Sequence, residues 1–164
     1  MIEALALERL KKVDSSLMAA QLHYLTVQDV LWINLQVTGK VNHYNYAKLE
    51  EATYYQYAYG DSKDPVSQAA RFLTGFPKLN PIEAGNAATV FIACLTFIKL
   101  NGMCVDLQDA NGVSWFESVK EKRTDAVSAI QAIAKPIVGH HDAPDIRKTV
   151  KELLSDFPCT ILNL

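Results

Sequence analysis

Apolar residues recur three and four apart along most of this chain, the spacing that lines one face of an α-helix. The pattern predicts a first helix over about 3–18. Leu25-Thr26-Val27-Gln28-Asp29-Val30 then carries a complete helix start. The Thr26 hydroxyl can accept from the amide three residues on, Asp29 can reach back, and Leu25 can staple onto Val30. That helix is expected to run to about Thr38 and stop before Gly39. Further helices are predicted over about 45–58 and 65–73, the second with Asp64 as cap and Pro65 at the first helical position. Gly75-Phe76-Pro77 is expected to break the chain.

The most strongly marked element begins at Asn80, a capping residue followed by Pro81 and completed as an Asn-x-x-Glu box by Glu83. It is predicted to run to Asn101 and end on Gly102. Ile82, Val90, Phe91, Leu95, Ile98 and their apolar neighbours cover every side of it, and Glu83 and Lys99 are its only charges. A helix apolar all round belongs at the centre of a bundle, so Phe91, Leu95 and Ile98 are expected to be nearly free of solvent. Residues 103–107 are β-capable and Asn111-Gly112 reads as a tight turn, which predicts one short β-hairpin. Helices over about 124–135 and 144–156 follow, punctuated by Pro136 and Pro144. The expected fold is mainly α: one domain over 1–164, a helical bundle around a buried central helix at about 80–101.

Composition narrows the function classes. With 164 residues, 49% hydrophobic and 21% charged, with 7 Gly and 6 Pro, the chain is not of a disordered or collagen-like class. Sixteen Lys+Arg against 18 Asp+Glu give a formal charge of −2, so no bulk field draws in nucleic acid or anionic lipid. The longest uncharged run, 84–98, falls short of the roughly 17–25 residues of a membrane span. Glu3 and Glu8 interrupt the apolar N-terminal stretch in a way a secretory signal does not. Cys94, Cys104 and Cys159 form no disulfide framework or zinc spacing. These features predict a soluble cytoplasmic protein, without nucleic-acid or membrane partners.

The order of motifs resembles the Fic/Doc family, its death-on-curing (Doc) branch in particular. Leu25-Thr26-x-x-Asp29-Val30-Leu31-x-Ile33 comes first, then Leu49-Glu50. Asn80-Pro81-Ile82-x-x-Gly85-Asn86 follows, leading into Phe97-x-x-Leu100-Asn101-Gly102. The resemblance covers about residues 25–105. Active members carry His-x-Phe-x-Asp/Glu-Gly-Asn-Lys/Gly-Arg at the start of the central helix, and include toxins that move a phosphoryl or nucleotidyl (AMP) group onto a protein hydroxyl. The resemblance implies that the histidine is the base, the acid holds Mg²⁺, the Gly-Asn amides receive phosphate oxygens and the arginine neutralises charge. Here the histidine position is Asn80, the phenylalanine position Ile82, the metal position Ala84 and the basic pair Ala87-Ala88; Gly85 and Asn86 remain. Upstream, where Doc-like sequences often place a histidine, Asn34 follows Ile33. Asn80 cannot take a proton near neutral pH. Glu83 stands one position early, about 100° around a helix from the metal site, and reads better as a cap.

The expectation is therefore a degenerate family member without catalytic residues or cofactor, with Gly85 and Asn86 as a residual anion site and binding as its role. ATP with Mg²⁺ belongs to the alternative, an active transferase. Six of the seven tyrosines lie within 44–59. On a helix over 45–58, Tyr46, Leu49, Thr53 and Tyr57 share one face and Tyr55 lies about 180° from Tyr46. One core cannot cover both faces, which makes Tyr44, Tyr46, Tyr55 and Tyr59 interface candidates for a protein partner or homodimer. His140-His141-Asp142, with Asp145, is the one cluster of metal-capable ligands, the basis of a third reading as a metal or small-molecule binder. Cys94 and Cys104 are expected to be inert buried thiols, and Asp106 and Asp109 solvated.

Overall fold

The computed structural model describes residues 22–57, 63–139 and 143–164. The helix expected over 3–18, Tyr59, and the His140-His141-Asp142 cluster lie outside the described residues. Helix α1, Val27–Thr38, starts with the expected capping box at Thr26 and Asp29 and ends on Gly39 at φ 74°. Helix α2, Tyr46–Tyr54, is capped by the Asn45 side chain and stops short of position 58. The chain tightens after it because Gln56 is needed elsewhere. Its buried amide accepts from the Leu25 N–H at 2.8 Å and donates to the Leu25 carbonyl at 2.7 Å, closing the approach to α1.

Helix α3, Pro65–Leu79, has the expected Asp64 cap and first-position proline, but it runs straight through Gly75-Phe76-Pro77. Two features explain this. Phe72, Leu73 and Phe76 form one buried face that continues past the glycine, and Pro77 sits in the last turn, where it forfeits a single backbone bond. Gly75 is small for a reason: a Cβ there would come within 2.7 Å of the Tyr55 ring.

The central helix α4, Asn86–Leu100, is buried at every residue from Ala88 to Ile98. Phe91, Leu95 and Ile98 are fully solvent-free, as expected. Phe91 meets Trp115, Phe116 and Phe157 edge-on at centroid distances of 6.1, 6.3 and 5.2 Å. Helices α1 and α3 pack against α4. The helix begins six residues later than expected, because Asn80 does not cap it. Asn80 ends α3 instead, in the left-handed conformation at φ 47°. Asn-Pro fits both roles, since proline is common just after a helix and also at its first turn.

Strand β1, Met103–Val105, pairs antiparallel with β2, Ala134–Pro136, which follows two further helices. Asn111-Gly112 is no turn; it lies inside α5, Asp109–Lys120. Helix α6, Ala126–Ile133, gives way to β2 before position 135. Helix α7, Ile146–Asp156, leads into α8, Pro158–Asn163, which packs on α5. Gly112 permits that approach: a Cβ there would overlap the Thr160 side chain. Asp109, expected to be solvated, is half-buried and bonded to the start of α8. Its carboxylate accepts from the Cys159 N–H at 3.0 Å and from the Thr160 N–H and Oγ1 at 2.8 Å. Cys94 is buried in α4 and its thiol pushed up by burial, whereas Cys104 is exposed on β1 rather than buried.

Candidate functional site

The residues that carry the motif occupy the turn between α3 and α4. Its backbone is fixed by an antiparallel exchange with the segment before α2. The Glu83 N–H donates to the His43 carbonyl at 2.8 Å, the Asn45 N–H to the Pro81 carbonyl at 2.9 Å, and Tyr44 pairs with Ile82. Ile82 is buried, so the apolar residue at this position anchors the turn to the core. Glu83 is not a helix cap. It is exposed, and its Oε2 accepts from the His43 N–H at 3.4 Å.

Asn86 braces the turn from inside. Its Oδ1 accepts from the Ile82 N–H at 3.1 Å, and its Nδ2 donates to the Ile82 carbonyl at 2.6 Å and to Asn80 Oδ1 at 2.8 Å. The two asparagines of the motif are thus bonded to each other. Gly85, at φ 78°, is the N-cap of α4 and provides no side-chain cap. A Cβ at Gly85 would overlap Thr38 Cγ2 and stand 3.2 Å from Asn34 Nδ2, so α1 fills the space on that side.

Behind the turn lies a polar cluster that the hydrophobic pattern did not reveal. Asn34, only 2% exposed, donates from Nδ2 to the Ala84 carbonyl at 2.8 Å and to Thr89 Oγ1 at 3.0 Å. Asn42 donates to Asn34 Oδ1 and to Thr38 Oγ1, each at 3.0 Å. Thr38 Oγ1 donates to the Asn34 carbonyl at 2.8 Å. Amides buried this deeply are tolerated because they are paired. Asn34 stood out in the sequence only at the position where the resemblance expects a histidine. Thr89 gave no signal because its partner Asn34 lies 55 residues away, and Asn42, whose partners are Asn34 and Thr38, gave none because it follows the helix end rather than sharing a helical face with them. Ala88 is 5% exposed and Ala87 packs against the core. A cationic side chain at 88 would have to leave that packing.

On the outer side, His43, Tyr44, Asn45, Asn80 and Glu83 line an open depression of about 320 Å³. Val41, Tyr44, Tyr46 and Tyr54 are exposed, Val41 at 86% and Tyr46 at 60%. The Glu50 carboxylate beside the Tyr46 hydroxyl raises its pKa, and the Tyr44 and Tyr54 phenols act on it in the same direction. Tyr55 does not join them, since its ring is turned onto Gly75. Tyr57, 38% exposed, stacks on Tyr24 at 4.2 Å. Three of the four interface candidates are therefore placed: Tyr44 and Tyr46 on one surface, and Tyr55 between helices. Among the described residues no group of three or more His, Cys, Asp or Glu side chains is arranged to hold a metal ion. No helix of the described residues is long and apolar enough to cross a membrane.

No family model matches the chain, and no curated protein or solved structure matches it.

Proposed function

We propose that this chain is a Fic/Doc-like helical domain that acts as a protein-interaction module and does not transfer phosphoryl or nucleotidyl groups. One observation carries the reading: the polar side chains at the motif turn are engaged in holding the turn itself. Asn86 bonds Asn80 and Ile82, and Asn34 bonds the Ala84 carbonyl. Transfer from ATP needs an oriented hydroxyl, a metal ligand and cations on the phosphates, each worth orders of magnitude in rate. Asn80, Ala84, Ala87 and Ala88 supply none of them. The binding surface we assign is the exposed group of Val41, Tyr44, Tyr46 and Tyr54. Aromatic rings with polar tips are enriched in interface cores, and they serve a protein partner or a second copy equally well.

The test is incubation of the purified chain with ATP labelled separately at the α and γ positions, Mg²⁺ or Mn²⁺, and a cell extract. No label is expected on any protein, with the Asn80→Ala variant behaving identically. Asn80→His alone is also expected to be inactive, because the metal and phosphate positions remain alanines. Label transfer that depends on Asn80 or Glu83 would establish the transferase instead. Light scattering of the wild type and of a Tyr46→Ser, Tyr54→Ser variant tests self-association through the assigned surface.

A further inference from the structure

A cavity of about 290 Å³ opens between the C-terminal ends of α3 and α5, away from the motif turn. Its apolar wall is Leu73, Pro77, Phe116 and Val119, and its rim carries Lys78, Lys120 and Lys122. The volume lies just below the roughly 300–1,000 Å³ typical of drug-sized ligand sites, which suits a small ligand. All three lysines are exposed, and none has a carboxylate partner among the described residues, where the ion pairs are Lys99–Glu152 and Arg123–Glu121. Lysines in a last helical turn usually offset the helix dipole. Two helix ends contribute only about half a negative charge each, however, and three ammonium groups leave the mouth positive.

Lys122 supplies a second, independent observation. The end of α5 is a complete Schellman motif: the Arg123 N–H reaches the Ser118 carbonyl at 2.9 Å and the Lys122 N–H the Val119 carbonyl at 3.1 Å. The left-handed position of that motif is normally glycine, yet here it is Lys122 at φ 59°. The backbone would be relieved by glycine, and the only thing glycine would remove is the ammonium-bearing arm at the cavity rim.

We propose that this cavity binds a small amphipathic monocarboxylate, free in solution, with its apolar body against Phe116 and Val119 and its carboxylate among Lys78, Lys120 and Lys122. This assignment does not rest on the interaction-module reading. Decanoate is the probe, with decan-1-ol and decyltrimethylammonium as its uncharged and cationic counterparts, titrated by calorimetry and by ¹⁵N chemical shifts at Thr74 and Val119. Decanoate should saturate a single site, decanol should bind about tenfold more weakly, and the cation should not compete. Lys120→Gln with Lys122→Gln should weaken decanoate binding about tenfold while leaving the fold intact. Lys122→Gly should raise the melting midpoint and lower decanoate affinity together, opposite movements that a merely structural lysine would not give. The proposal is overturned if decanoate does not saturate, if decanol binds as tightly, or if the lysine variants bind unchanged. Sedimentation with phosphatidylglycerol vesicles in the absence of saturable decanoate binding would also overturn it, assigning the lysines to a membrane surface.

Discussion

Replacing Gly85 with alanine tests whether the motif glycine is there for packing. Gly85 holds φ 78°, and the left-handed region costs a non-glycine residue about 1–2 kcal/mol. The added methyl would also overlap Thr38 Cγ2. Thr38 cannot swing its methyl aside, because its Oγ1 donates its one proton between the Asn34 carbonyl at 2.8 Å and the Lys40 carbonyl at 3.0 Å, and accepts from Asn42 at 3.0 Å. Overpacking of this kind adds about 1–3 kcal/mol. The sum, roughly 2–5 kcal/mol, is a large share of a typical folding stability of about 5–15 kcal/mol. At this chain length it corresponds to a drop in melting midpoint on the order of 4–20 °C. Thr38→Ser removes the obstructing methyl and keeps the hydroxyl, so Gly85→Ala in that background should recover the overpacking part and retain the backbone part. Urea unfolding of the four proteins in the cycle reads this coupling directly. A neutral Gly85→Ala, or single effects that add to within about 0.5 kcal/mol, would refute the packing account.

Leu95→Ala should cost about 2–5 kcal/mol in urea unfolding, since the side chain is fully buried in α4; a change below about 1 kcal/mol would count against the central-helix packing. Gly112→Ala should lower the melting midpoint and expose α8 to limited proteolysis, even though alanine is the better helix former by about 1 kcal/mol; a more stable variant would show that Gly112 and Thr160 are not in close contact. Burial raises the Asp109 pKa, but the N–H donors of Thr160 and Cys159 and the Thr160 hydroxyl together hold it below the usual carboxylate value. Because the folded pKa is the lower one, its contribution to stability is complete above the unfolded value of about 3.9 and is lost as the pH falls through the folded value. The protection factors of the Thr160 and Ile161 amides, corrected for the intrinsic pH dependence of exchange, should therefore fall on acidification in the wild type, and Asp109→Asn should abolish that fall.

The sequence by itself determined the elements whose signals are local. The Thr26–Asp29 capping box, the Asp64 cap and the stop at Gly39 each involve residues within one turn of one another. The burial of α4 was equally legible, because a helix without a polar face has only one environment open to it. What tertiary structure decided were the places where one local signal fits two conformations. Asn80-Pro81 serves a helix end as well as a helix start, and the buried Ile82 paired with Tyr44 settled the choice. Gly75 and Gly112 stay helical because Tyr55 and Thr160 from distant segments need the space a side chain would take. The candidate site divides in the same way. That positions 80, 84, 87 and 88 hold an amide and three alanines, with no base, carboxylate or cation among them, is a matter of residue identity and was visible in the chain. The engagement of Asn86 with Asn80, six residues apart, is a short-range contact, but spacing alone does not assign it, because Asn80 also fits a helix cap. The bonds from Asn34 to Ala84 and Thr89 span 50 and 55 residues, and no pattern along one segment encodes a partner that far away. Buried amides acquire their meaning only once packing has removed the water that would otherwise satisfy them.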